Sequence, residues 1–283
     1  MVFAIITCVW GLTGPELLLS TEDAAKLNEV LFVDTRPSAD YAAEHIAGVV
    51  HCDSAALSET RDGVKGMLRP IEQVKEMLSK AGVDPARHVV LYSAMEKPDQ
   101  LKDATRLFWI LDYLGYPRVS VLDGGLAKWK SEKRSIEAGG AKVEPVNLAN
   151  LKLNSQRLAD WEAVSRLVSD SSHALLDCRS PEEYSGAKKE DYVDRAGHIP
   201  GAVNVPATDY VEGDFNTVKA PSAIEEILGE KRISANQPAV TYCNTGRSAS
   251  VGYFMLRWLG RENVALYDGS MAEWSKKPNL DVE

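Results

Sequence analysis

The amino-acid sequence predicts an α/β protein made of two tandem domains, each a parallel sheet flanked by helices on both faces. Three observations carry that expectation. At 283 residues the chain is long for one domain and comfortable for two, each with its own core. Three segments recur at offsets of 143 to 150 residues, too long a period for a solenoid and right for a duplicated domain. Within each copy, short apolar β-branched runs alternate with helical segments. Strands that are apolar on both faces need cover on both faces, as in a parallel sheet.

The elements follow in order. The opening "MVFAIITCVWGL" is apolar, lacks a basic flank and is too short to span a bilayer. It reads as a first strand, with an export signal as the alternative, so the expected location is cytoplasmic with periplasmic export as the second reading. The first copy, residues 1–138, contains "LFVDTRPSADYAAEHIAG", "VVLYS" and "LGYPRVSVLDGGLAKW". A stretch rich in Gly, Asn and charge supplies a linker at 139–154. The second copy, residues 155–283, answers with "LLDCRSPEEY" and "GHIPGAVNVP", then "AVTYC", then "LGRENVALYDGSMAEW". In it "ALLD", "AVTY" and "VALY" read as strands, and "DWEAVSRLV", "SAIEEIL" and "SASVGYFMLRWLG" as helices.

Composition narrows function. The net charge of −9 repels nucleic acid and anionic lipid, so neither is an expected partner, and an anionic substrate would need a local positive site. The four cysteines (Cys8, Cys52, Cys178 and Cys243) form no Cys-x-x-Cys pair, and the five histidines are scattered, so no metal site is expected. Nothing in the sequence specifies an oligomeric state.

The segment "TYCNTGRSAS" places Cys243 at the carboxyl end of a strand and just before a helix, where open α/β sheets bind ligands. Gly246 allows a tight curve, so the N–H groups of Asn244, Thr245, Gly246, Arg247 and Ser248 can turn toward the sulfur. The helix start adds partial positive charge. A sulfur so placed is favoured as the thiolate, and the loop reads as a cradle for anionic sulfur.

Taken together, "LLDCRSPEEY…GHIPGAVNVP", the loop "CNTGRS" and the closing "LYDGSMAEW" resemble the rhodanese family of sulfurtransferases, in its two-domain form with a catalytic C-terminal domain. The resemblance covers nearly the whole chain. It implies tandem rhodanese-like domains, no metal or organic cofactor, a small anionic sulfur donor and a thiophilic acceptor such as cyanide. It also implies a double displacement in which Cys243 takes up sulfur as a persulfide and passes it on.

Around Cys243 the expected roles divide. Arg247 is the first candidate for gripping a donor anion, because a guanidinium can fork onto sulfonate oxygens. Arg195 is a second substrate-binding candidate, in a segment it shares with Glu183. Asp177 and Arg179 read as a structural ion pair, since the first copy keeps Asp34 and Arg36 although Ser93 stands where Cys243 stands. His198 and Asp268 recur as His45 and Asp123, so both read as architecture. Cys178 reads as a small core residue, and Trp129 and Trp274 as core plugs. A phosphatase loop of Cys-x5-Arg type is excluded, because the arginine follows after four positions and residue 249 is alanine. A noncatalytic sulfur-carrier or protein-binding module would not need the Cys243, Gly246 and Arg247 constellation. Thiosulfate is the expected donor. 3-Mercaptopyruvate is the alternative, since "CNTGRS" matches neither the neutral nor the doubly basic loop usual for the two activities.

Overall fold

The computed structural model describes residues 14–140, 142–168, 170 and 172–283. The expected N-terminal strand and Cys8 lie outside them. The first sheet runs in the order Leu18–Leu19, Val119–Leu122, His88–Tyr92, Val30–Asp34, Val50–His51, with every neighbouring pair parallel. The second repeats this order: Leu158–Ala159, Val264–Tyr267, Ala239–Tyr242, Ala174–Asp177, Val203–Asn204, again parallel throughout. The duplication read from sequence is therefore a duplication of topology. In the central strands His88–Tyr92 and Ala239–Tyr242 every residue but His88 is buried, as their mostly apolar runs require.

Three helices foreseen in the second copy form at Trp161–Val168, Pro221–Glu230 and Arg247–Trp258. Trp129 and Trp274 are buried plugs, each tied by its indole N–H to a carbonyl, of Ser135 and Asp281 respectively. Each domain also carries an antiparallel hairpin, Ser58–Arg61 with Val64–Leu68 in the first and Val211–Glu212 with Thr217–Val218 in the second. The linker stays close to the first domain: Val146 exchanges hydrogen bonds with Ser79, and Asn154 N–H donates to Tyr113 O. A side chain at Gly115 would meet Lys152 O at 2.3 Å, so the linker's path demands glycine there.

The domains face each other through the helices Leu101–Leu114 and Arg247–Trp258. Thr105 Oγ1 and Ser250 Oγ, equivalent positions in the two copies, meet at 2.9 Å. Phe108 packs edge-on against Phe254, with ring centroids 4.9 Å apart. One apolar cluster runs from Val33 through Trp109 to Phe254 and Leu266, so the halves share a core rather than touching at a wet interface. The pseudo-symmetry extends to two reciprocal clamps. Asp268 accepts from Leu68 N–H in the first domain's hairpin, and Asp123 accepts from Val218 N–H in the second's.

Candidate active site

Cys243 follows the Ala239–Tyr242 strand, and the helix Arg247–Trp258 begins four residues later with Gly246 as its N-cap. Gly246 has φ +74°, and a Cβ there would lie 2.7 Å from Arg106 Nη1, so both backbone and neighbours require glycine. The thiol is 97% shielded, at 3% relative exposure.

Ser270 fixes the loop, and its role was missed in the sequence. It follows the Val264–Tyr267 strand at φ +50°, a left-handed conformation that costs a residue with a side chain about 1–3 kcal/mol. Its Oγ accepts from Cys243 N–H and Gly246 N–H, each at 3.1 Å, and donates to Tyr267 O at 2.8 Å. Two backbone donors thus find one hydroxyl, which offsets the strain. Gly246 N–H is therefore not part of the anion cradle expected of it. The N–H groups of Asn244, Thr245, Arg247 and Ser248 have no acceptor among the described residues and are available to an anion held by the loop.

The first copy shows the same frame with the chemistry removed. Leu126 and Ala127 N–H donate to Ser93 and Ala94 O, just as Met271 and Ala272 donate to Cys243 and Asn244 O. Gly125, at φ +49°, takes the place of Ser270, and the buried Ser93 hydroxyl has no partner among the described residues.

The structural pairs fall where the duplication placed them. Arg179 forks onto Asp177 through Nε at 2.9 Å and Nη2 at 2.5 Å, and Arg36 repeats this on Asp34 at 3.0 and 2.6 Å. His198 Nδ1 is 2.9 Å from Tyr184 O, and the ring stacks on Tyr184 at 3.8 Å. His45 does the same on Tyr41, at 2.8 and 4.0 Å. Both histidines brace a turn. Asp268 receives Arg106 Nη2 at 2.7 Å, and the same guanidinium also reaches Gly246 O at 3.4 Å. Arg106 is thus a first-domain cation built into the second-domain loop.

Two expected substrate-binding arginines have protein partners instead of lying free. Arg247 Nη2 contacts Asp103 Oδ1 from the first domain, while its Nε and Nη1 have no described partner. Burial raises the Asp103 carboxyl above its ordinary range against the pull of Arg247. Arg195 donates to the carbonyls of Ser275, Leu280, Trp274 and Lys277, so it staples the C-terminal segment with most of its N–H groups. Thr245 lies against Gly66 of the first domain's hairpin, where a Cβ would come within 2.5 Å.

Asn244 Nδ2 donates to Glu183 Oε1 at 2.6 Å, and Glu183 Oε2 accepts from Ser180 N–H at 3.2 Å as part of a capping box. Burial, then Glu190, Cys243 and Glu183, push the Tyr192 hydroxyl up to about 12, so it is a proton donor at neutral pH. Cys178 follows Asp177, the register partner of Tyr242, and its N–H donates to Tyr242 O at 2.9 Å; it is buried, and burial holds its thiol well above the ordinary range. Burial likewise raises Cys52 to about 12. Among the described residues no group of three or more His, Cys, Asp or Glu side chains is placed to hold a metal. The arrangement places one thiol at a strand end, beside a loop with four unpaired N–H groups and under the hairpin of the other domain.

The model of the rhodanese-like domain matches residues 19–132 and again 160–277. The 3-mercaptopyruvate sulfurtransferase of Escherichia coli (strain K12) is 30% identical over 252 residues, covering 88% of this chain and 87% of its own. The thiosulfate sulfurtransferase of Azotobacter vinelandii is 30% identical over 261 residues, covering 90% and 91%. Among solved structures, an anaerobic ergothioneine biosynthesis enzyme from Chlorobium limicola superposes with TM-score 0.83 at 24% identity, over 95% of this chain and 70% of that one. That likeness speaks for the fold.

Proposed function

The chain belongs to the rhodanese family and is a sulfurtransferase, and from that premise we propose that Cys243 carries sulfane sulfur from thiosulfate to a thiophilic acceptor such as cyanide. The carrying observation is the thiol at the strand end, beside N–H groups that no protein acceptor satisfies. The Cys243 thiolate attacks the outer sulfur of thiosulfate, the S–S bond breaks, and sulfite leaves with the bonding pair. The persulfide anion sits among the N–H groups of Asn244, Thr245, Arg247 and Ser248. Cyanide then attacks the outer sulfur and leaves as thiocyanate, returning the thiolate. Each displacement is simpler than the direct transfer.

Thiosulfate is favoured over 3-mercaptopyruvate because a keto acid's carboxylate needs a cation outside the cysteine loop, and Arg195, the second substrate-binding candidate, is engaged with four carbonyls. Arg247 keeps Nε and Nη1 for sulfonate oxygens while Asp103 orients it. The names of the 30%-identical relatives favour 3-mercaptopyruvate as the second reading as much as thiosulfate as the first. Steady-state kinetics with both donors decides. Thiosulfate should give the higher kcat/KM, and Arg247→Ala should lower it about tenfold to a hundredfold with less effect on 3-mercaptopyruvate. A strong preference for 3-mercaptopyruvate, with thiosulfate turnover indifferent to Arg247→Ala, would transfer the assignment to the second reading.

A further inference from the structure

The arginines that touch the thiol loop are already matched with acids: Arg106 with Asp268 and Arg247 with Asp103. Thiosulfate carries two negative charges, and although Arg247 keeps free N–H groups, each of these arginines has its charge balanced by a carboxylate, which leaves room for a further cation. The second strand of the first domain's hairpin, Val64–Leu68, supplies another cation. It is held on the second domain at two points, by Gly66 against Thr245 and by Leu68 N–H on Asp268. Between them and the hairpin turn, Lys65 is exposed and reaches across to the second domain, its Nζ 4.5 Å from the centroid of the Tyr192 ring. No carboxylate among the described residues pairs with it. Tyr192 in turn lies close enough to feel the charges of Cys243 and Glu183. Lys65 thus has no carboxylate partner among the described residues and sits next in sequence to Gly66, which touches Thr245 of the thiol loop.

We propose that Lys65, contributed by the noncatalytic domain and seated on the Tyr192 ring, binds the anionic end of the sulfur donor at the mouth of the Cys243 loop. This rests on the sulfurtransferase reading and adds a donor-binding residue to it. The aromatic face holds the ammonium without neutralising it, because a cation on a π face keeps its full charge. Lys65 is a point charge on a flexible stem, suited to donors of different shape, whereas Arg247 offers a planar fork. The first domain thus takes part in donor recognition although its own loop carries serine.

The test separates this inference from the function itself. Lys65→Ala should raise KM for thiosulfate about fivefold to twentyfold while kcat stays within about twofold, and Lys65→Arg should recover most of the loss. A second readout needs no turnover: the rate of Cys243 alkylation by anionic iodoacetate relative to neutral iodoacetamide. Lys65→Ala should lower that ratio about threefold or more, and raised salt should lower it in the wild type but hardly in the variant. An unchanged KM and an unchanged alkylation ratio overturn the role of Lys65. A fall in kcat at constant KM and ratio also overturns it, making the hairpin a structural brace. Absence of wild-type turnover with any donor would instead remove the sulfurtransferase reading, and the alkylation ratio would still report on Lys65.

Discussion

The two strand-end loops of this molecule, at Ser93 and at Cys243, are built on one frame and differ at the points where chemistry would occur. Both receive N–H groups from the next turn of chain onto equivalent carbonyls, and both stand beside an Asp–Arg fork and a stacked, braced histidine. Only the second has a thiol, and only the second has Ser270 collecting two loop N–H groups where the first has Gly125. The lesson is that residues repeated in both copies hold the fold, and paired residues that differ point to function. On that ground we propose a structural role for His198, Asp177, Arg179 and Asp268.

The sharpest way to break this comparison is to exchange the sulfur. Cys243→Ser should reduce turnover by about ten-thousandfold or more, since nucleophile removal costs on that order, with thermal unfolding unchanged. Ser93→Ala should leave both turnover and stability near wild type, and any large loss of activity there would deny that the first loop is chemically silent.

Next in size is the second difference. Ser270→Gly makes the catalytic loop resemble the silent one, keeping the left-handed backbone but removing the acceptor of two N–H groups. Turnover should fall about tenfold to a hundredfold, corresponding to roughly 1–3 kcal/mol for unsatisfied donors. The loss should appear in kcat more than in KM. Unchanged kinetics would mean the hydroxyl is a bystander.

The smallest effect concerns the contact between domains. Because burial raises Asp103 above the ordinary carboxylate range, the folded protein binds its proton more readily than the unfolded chain. The sign follows: this residue's contribution to stability falls as pH rises from its ordinary value through its raised folded value. Denaturant unfolding across the acid range should therefore show wild type losing stability relative to Asp103→Asn over that window. A difference independent of pH would mean that Asp103 ionises as it does in the unfolded chain.

Much of the fold was legible because period and duplication reinforce each other. "AVTY", "VVLY" and "SASVGYFMLRWLG" have the right apolar pattern, and three segments recur in both copies. The thiol was legible because Cys243 ends a strand and precedes a glycine. What stayed hidden were partners distant in the chain. Asp103 lies 144 residues from Arg247, and Leu68 lies 200 from Asp268. Composition and local spacing carry no trace of such pairs. The four carbonyls that occupy Arg195 belong to the last residue of the short helix Ser270–Trp274 and to the irregular backbone after it, equally invisible to pattern. Ser270 did leave a signal: "DGG" in the first copy becomes "DGS" in the second, in step with the change from Ser93 to Cys243.

The central claim is that Cys243 alone among the cysteines carries the transferred sulfur. What sets it apart from Cys178 and Cys52, which are buried like it, is the loop: burial raises both of their thiols, and only Cys243 is followed by N–H groups without a protein acceptor. The direct measurement is mass spectrometry of peptides after brief exposure to thiosulfate, without a reductant. One additional sulfur atom on the peptide containing Cys243, lost again when cyanide is added, is the predicted result. Stable sulfur on Cys8, Cys52 or Cys178, or none that cyanide removes from Cys243, would contradict it.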